Sequence, residues 1–407
     1  MKLRILSNTL LTLFLSCFSL FSVHTVASAK EINEATMPSK NIIVAAEQLA
    51  QYLPLLADKK VGLVVNQTSR VFNQHLVDVL LDKHIDIKMI FAPEHGFRGD
   101  RDAGEKFDSS IDAKTSLPLV SLYGKNRKPS VATIKSLDVI VFDIQDVGVR
   151  FYTYISTMHY MMEAAADAGV KFIVLDRPNP NGAFVDGPVL DMAFQSFVGM
   201  HPIPLLHGMT VGELANMIKG EGWLNVSNVL DLTVVPINNY QRDLAYSLPV
   251  KPSPNLPNAQ SITLYPSLGF FEATPVSIGR GTTFPFQVIG HDKLNIGQFS
   301  FTPVSIAGAA SNPKLMGKVL QGEDLRHMNY AVNRQGVDLS YIINWHKLFA
   351  EQKEIFFNSP SFMDKLAGTD KLRKAIIAGQ NEVQIRKTWQ DDLATFKHKR
   401  QPYLLYK

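Results

Sequence analysis

From residue 59 to residue 176 the chain alternates continuous apolar runs with segments of helical spacing, and this alternation constrains the fold more than any other feature. Val61-Gly62-Leu63-Val64-Val65 is the first run, and Leu76, Val79 and Leu80 follow it at helical spacing. The run over 87–92 comes next, ending in Ile90-Phe91-Ala92. A short run over 117–122 and longer ones over 137–144 and 170–175 continue the series, with a largely apolar helical stretch at 151–168. Strands apolar on both faces, separated by helices, predict an α/β domain whose parallel sheet is covered on both sides. Pro118 predicts an edge position for the short run.

Each run stops at polar residues. Asn66 follows the first, and Glu94 and His95 follow Ala92 across Pro93. Asp143, Gln145 and Asp146 end the run over 137–144, and Asp176 and Arg177 end the run over 170–175. Open α/β sheets bind ligands beyond the carboxyl ends of their strands. Polar groups converging there form a candidate site, with helix capping as the competing role for each Asp or Asn. For Glu94 the competing roles are a cap or an ion pair with Arg98. There is no Gly-rich dinucleotide fingerprint or P-loop, and His95, His159, His201 and His207 lack ligand-like spacing. Neither cofactor nor metal is predicted.

The first 29 residues have the pattern of a secretory signal. Lys2 and Arg4 precede an apolar stretch over 10–21, too short for a membrane span, and Ala27-Ser28-Ala29 offers a small-residue cleavage site. The single cysteine, Cys17, lies inside this stretch, and Phe14-Leu15-Ser16 before it fits a lipobox poorly. The expected product is periplasmic or secreted, with no disulfide, no lipid and no stable membrane insertion. Residues 30–44 are expected to be a disordered lead. A formal net charge of +4, with no basic stripe, argues against a nucleic-acid partner.

Texture changes near residue 200, giving an expected first domain over 45–200 and a mixed α+β domain over 201–407. Thr210 and Glu213 are spaced as a capping box. Prolines 249, 252, 254 and 257 mark an extended segment. Arg280 sits between Gly279 and Gly281, in a turn able to bring backbone and guanidinium close to an anion. Trp345 and Trp389 are expected in the core.

Six blocks carry a resemblance to a known family. They are Pro93-Glu94-His95-Gly96, the long block over 143–154 (Asp143 to Tyr154), Asp176-Arg177-Pro178-Asn179-Pro180, His207-Gly208-Met209-Thr210, Pro254-Asn255-Leu256-Pro257 and Ser277-Ile278-Gly279-Arg280-Gly281-Thr282. In this order they resemble the exo-β-N-acetylmuramidases, bacterial proteins long grouped as a domain of unknown function. The resemblance runs from about residue 45 to the C-terminus. It implies a Rossmann-like domain, a second domain and a site in the cleft between them. It also implies release of N-acetylmuramic acid from the non-reducing end of peptidoglycan fragments, polymer or disaccharide.

Glycoside cleavage needs an acid for the leaving oxygen and a second carboxylate as base or nucleophile. Glu94, fixed at a strand end among apolar neighbours, is the acid/base candidate. Glu272, Asp143 and Asp146 are candidates for the second role, with His95 beside them. The lactyl carboxylate of muramic acid calls for an arginine, Arg150 or Arg280. Asn66, Gln145, Tyr152, Asp176, Arg177, His207 and Asn255 complete the candidate substrate contacts. Two other functions fit the same residues: a non-catalytic binder of cell-wall sugars, and an exported hydrolase of an ester or phosphoester.

Overall fold

The computed structural model describes residues 41–98, 110–124, 127–294, 298–327 and 336–407. The signal sequence, its cleavage site, Cys17 and residues 30–40 of the expected lead lie outside the described residues. Residues 41–44 belong to the fold rather than to a disordered lead. Ile43 bridges Asn238, and Val44 is buried in the core on one face of the sheet.

A seven-stranded sheet organises the first half. Its order is Leu232–Val235, Lys171–Leu175, Val139–Asp143, Val61–Val65, Ile87–Ala92, Pro118–Ser121 and Ser110–Ile111. All pairings are parallel except the last. Counted in chain order, the six parallel strands lie 3-2-1-4-5-6 from one edge, the order of the Rossmann fold. Pro118 stands one place in from the edge. It opens its strand, and its register partner is Ile111, while pairing with Ile87–Ala92 begins only at Leu119. The missing N–H therefore breaks no bond of the parallel ladder. The sheet also reaches past residue 200, because the β-branched run at Leu232–Val235 pairs alongside Lys171–Leu175.

Side chains divide between the two faces. Leu63, Val65, Ile90, Val141 and Ile173 pack with the helices Leu49–Leu56 and Leu76–Asp82. Val64, Phe91, Phe142, Phe172 and Val174 pack with Tyr154–Ala168 and Val211–Gly220. The second core continues without a break into the C-terminal half and takes in Phe270, Phe271, Trp345 and Trp389. A three-stranded antiparallel sheet there has Leu320–Asp324 at its centre, flanked by Val288–His291 and Phe299–Phe301.

Residues 404–407 return to the first half. The Tyr406 hydroxyl donates to Asp176 at 2.6 Å, and the Leu405 amide donates to Glu213 at 2.8 Å. Glu213 also closes the capping box with Thr210, as its spacing predicts.

Candidate active site

A cleft of about 870 Å³ opens where the strand Ile87–Ala92 ends. Glu94 and His95 line it. His95 and Gly96 have φ of 70° and 76°, so the chain turns through two left-handed residues immediately after the carboxylate. A side chain at His95 makes that conformation costly, and such strain persists where the surroundings hold it. Arg98 is turned to Asp112 at 2.9 Å, so the Glu94–Arg98 pairing is not what positions the acid.

The block over 143–154 supplies the support. Thr153 Oγ1 donates to Glu94 Oε2 at 3.1 Å, and the Tyr154 hydroxyl reaches the Glu94 carbonyl at 3.4 Å. The Tyr152 hydroxyl donates to the Pro252 carbonyl at 2.8 Å, which ties the proline-rich segment to the same wall. Tyr123 bonds Glu94 from another side; burial, then this carboxylate, raises its phenol well above the usual range. The helix begins at Tyr154 rather than 151, because residues 151–153 are spent on this turn.

The opposite wall comes from the C-terminal half. Glu272 lies on a single 3-10 turn, Gly269–Ala273, and pairs with Arg280 at 2.6 Å. Gly279 and Gly281 have φ of 79° and 81°, and a Cβ on Gly279 would stand 2.7 Å from Val288. The Gly-Arg-Gly turn is thus built only with glycine on both sides, and it presents Arg280 over the Phe286 ring at 5.0 Å. Arg280 and Tyr265 each lie in the field of both Glu272 and Glu94, so the two carboxylates face a common space. Lys314 closes one end, its ammonium bonded to the carbonyls of Phe271, Glu272 and Thr274; burial pushes its pKa down to about 8.

Of the residues singled out in the sequence, Glu94, His95, Tyr152, Asn255, Glu272 and Arg280 line the cleft. The others do not. Asp143 is fully buried under the fork of Arg177, at 2.5 and 2.9 Å. Asp146 accepts from the Gly148 amide at 2.6 Å, and burial raises its pKa to about 7. The Asn66 carboxamide caps Thr68, and Gln145 donates to the carbonyls of Asp146 and Pro178. Asp176 gathers Thr210, Gly212 and Tyr406. His207 accepts from the Met209 amide. Arg150, a candidate for the lactyl group, is fully buried and donates to the carbonyls of Pro188, Ile203, Leu366 and Ala367. These side chains hold turns together beneath the strand ends. The Ser69 hydroxyl donates to the Asp143 carbonyl there, joining the turns that follow the first and fourth parallel strands.

Tyr123, Arg127, Phe197 and Lys314 also line the cleft and carry no motif that marks them in the sequence. They sit on loops whose place is set only by tertiary packing. Among the described residues no group of three or more His, Cys, Asp or Glu is placed to hold a metal ion, and no helix is long and apolar enough to cross a membrane.

A Rossmann-type sheet bearing a cleft with two facing carboxylates and an aromatic lining fits an α/β enzyme of the glycosidase class. The family model for the N-terminal part of the exo-β-N-acetylmuramidase NamZ matches residues 61–260, and that for its C-terminal part matches residues 263–406. The chain belongs to this family of glycosidases. It is 38% identical over 418 residues to the peptidoglycan β-N-acetylmuramidase NamZ of Bacillus subtilis (strain 168), covering 97% of this chain and 98% of that one. Two crystal structures of DUF1343 family proteins from Bacteroides fragilis share the fold. One is 45% identical with a TM-score of 0.83, covering 90% of this chain and 99% of the other. The second is 30% identical with a TM-score of 0.78, covering 91% and 100%.

Proposed function

We propose that this protein is an exo-acting hydrolase that releases N-acetylmuramic acid from the non-reducing end of peptidoglycan fragments, with Glu94 as general acid/base. The observation that carries the assignment is the way Glu94 is held: a strand end on one side, Thr153 and Tyr123 on its carboxylate, and Glu272 across the cleft. An acid aimed by fixed partners can protonate a leaving oxygen without first reorganising. Glu272 is the partner carboxylate for the role of base or nucleophile, held in place by Arg280 at 2.6 Å. The family to which the chain belongs, and the peptidoglycan β-N-acetylmuramidase of Bacillus subtilis among its relatives, support the substrate class. Peptidoglycan lies outside the cytoplasmic membrane, so the N-terminal pattern of a cleaved signal agrees with this reading.

Glu94→Gln tests it on a chromogenic β-glycoside of N-acetylmuramic acid. The amide keeps the shape and loses the proton. Turnover should fall about 100- to 10,000-fold with the melting temperature unchanged. Near-wild-type turnover would refute the role of Glu94, and a wild-type protein inert on this glycoside would refute the activity.

A further inference from the structure

Among the described residues three cations line the cleft, and two are already satisfied. Arg280 is paired with Glu272 at 2.6 Å, and Lys314 is held by three carbonyls. Arg127 differs. Its guanidinium carbon lies over the Phe197 ring, 4.2 Å from the centroid, and its Nε is buried with no hydrogen-bond partner. No carboxylate of another described residue pairs with it.

The platform beneath Arg127 is rigid. Phe197 sits at the tip of a tight turn closed by reciprocal bonds between Ser196 and Gly199, and Ser156 donates to its carbonyl at 2.7 Å. Tyr160 stacks on Phe197 with 13° between the ring planes. The neighbouring Lys128 is clamped to Glu163 and Asp167 on the helix Tyr154–Ala168. A cation stacked on an aromatic face keeps its in-plane N–H donors directed outward, ready for a planar anion. Tyr123 then links this platform to the acid: its ring meets Phe197 edge-on, and its hydroxyl bonds Glu94.

We propose that Arg127 is the substrate-binding residue that recognises the lactyl carboxylate of the released muramic acid. This rests on the function proposed above. The scissile bond is at C1 of the sugar and the lactyl ether at C3 of the same ring. A sugar whose C1 oxygen meets Glu94 therefore needs an anion receptor a short way along the same wall, where Arg127 stands. Arg150 cannot serve, being consumed by backbone carbonyls, and Arg280 would have to leave Glu272.

The test compares two chromogenic glycosides, one of N-acetylmuramic acid and one with its lactyl acid converted to the neutral amide. Wild type should prefer the acid by about 10- to 100-fold in kcat/KM, the worth of a charge-assisted bond. Arg127→Gln should abolish that preference, chiefly through KM on the acid, while its melting temperature stays close to wild type. Arg127→Lys should keep part of the preference, since charge remains and the fork is lost. Should the amide be cleaved too slowly to measure, the inhibition constants of free N-acetylmuramic acid and its amide give the same ratio. An active wild type whose preference survives in Arg127→Gln overturns this inference alone. A wild type inert on the acid glycoside overturns the functional reading and this inference with it.

Discussion

Arg150→Met should unfold this protein more easily without changing how it binds sugar. Methionine fills much of the arginine's volume, so the cavity left is small. What is lost is the donor for four buried carbonyls, at 2.6, 2.8, 3.1 and 2.6 Å. The Ile203 carbonyl keeps the Leu190 amide as a donor, and each of the other three costs about 1–3 kcal/mol when left unpaired, or about 6 kcal/mol together. Against this, the variant no longer buries a cation. That burial depresses the arginine's pKa to about 9, a penalty of about 5 kcal/mol. The net loss is about 1 kcal/mol, which lowers Tm by roughly 1–2 °C in a chain of this size. Thermal unfolding followed by circular dichroism measures it, and KM on the muramic acid glycoside at 20 °C should stay near wild type. A variant with Tm at or above that of wild type and a raised KM would return Arg150 to the ligand and refute the reasoning.

Two further outcomes follow from named groups. Burial, then Arg400, Arg150 and Arg242, push the pKa of His207 down to about 3. The neutral imidazole thus contributes stability that is present above about pH 6.5 and is lost as pH falls toward 3. His207→Asn, which can still accept from the Met209 amide, should show a shallower fall of Tm between pH 6.5 and 4; an unchanged slope would contradict the assignment. N-terminal sequencing of the exported protein should begin at Lys30, and a lipidated N-terminus at Cys17 would contradict the signal assignment.

The parallel sheet was legible because fully buried strands need apolar residues on both faces, and the runs at Val61–Val65, Val139–Asp143 and Lys171–Leu175 have them. The strand-end residues were harder to interpret. Asp143 and Glu94 occupy equivalent places in sequence, each a carboxylate closing an apolar run. One is roofed by Arg177 and the other faces a cleft. Spacing cannot separate these cases, because the roof comes from another strand end and the cleft from residues nearly 200 positions away. Arg150 misled for a related reason. Its family block reads as a recognition element, yet its acceptors belong to backbone on both halves of the chain and leave no trace in side-chain identity. The turn carrying Arg280 was legible, since two glycines can flank an arginine in the left-handed region only in a specialised turn, but its pairing with Glu272 was not. Arg127 and Phe197 become significant only once folding stacks them.

The returning tail has a consequence for how the chain is made. Asp176 and Glu213 belong to the first half, yet both take bonds from residues 405 and 406. A ribosome that has delivered the first 400 residues has supplied every strand of the large sheet, but these two carboxylates still lack Tyr406 and the Leu405 amide. The Rossmann half is therefore not a unit that matures while the rest is synthesised. Its last bonds wait for the tail, and a chain truncated by even four residues would leave Asp176 and Glu213 without those donors.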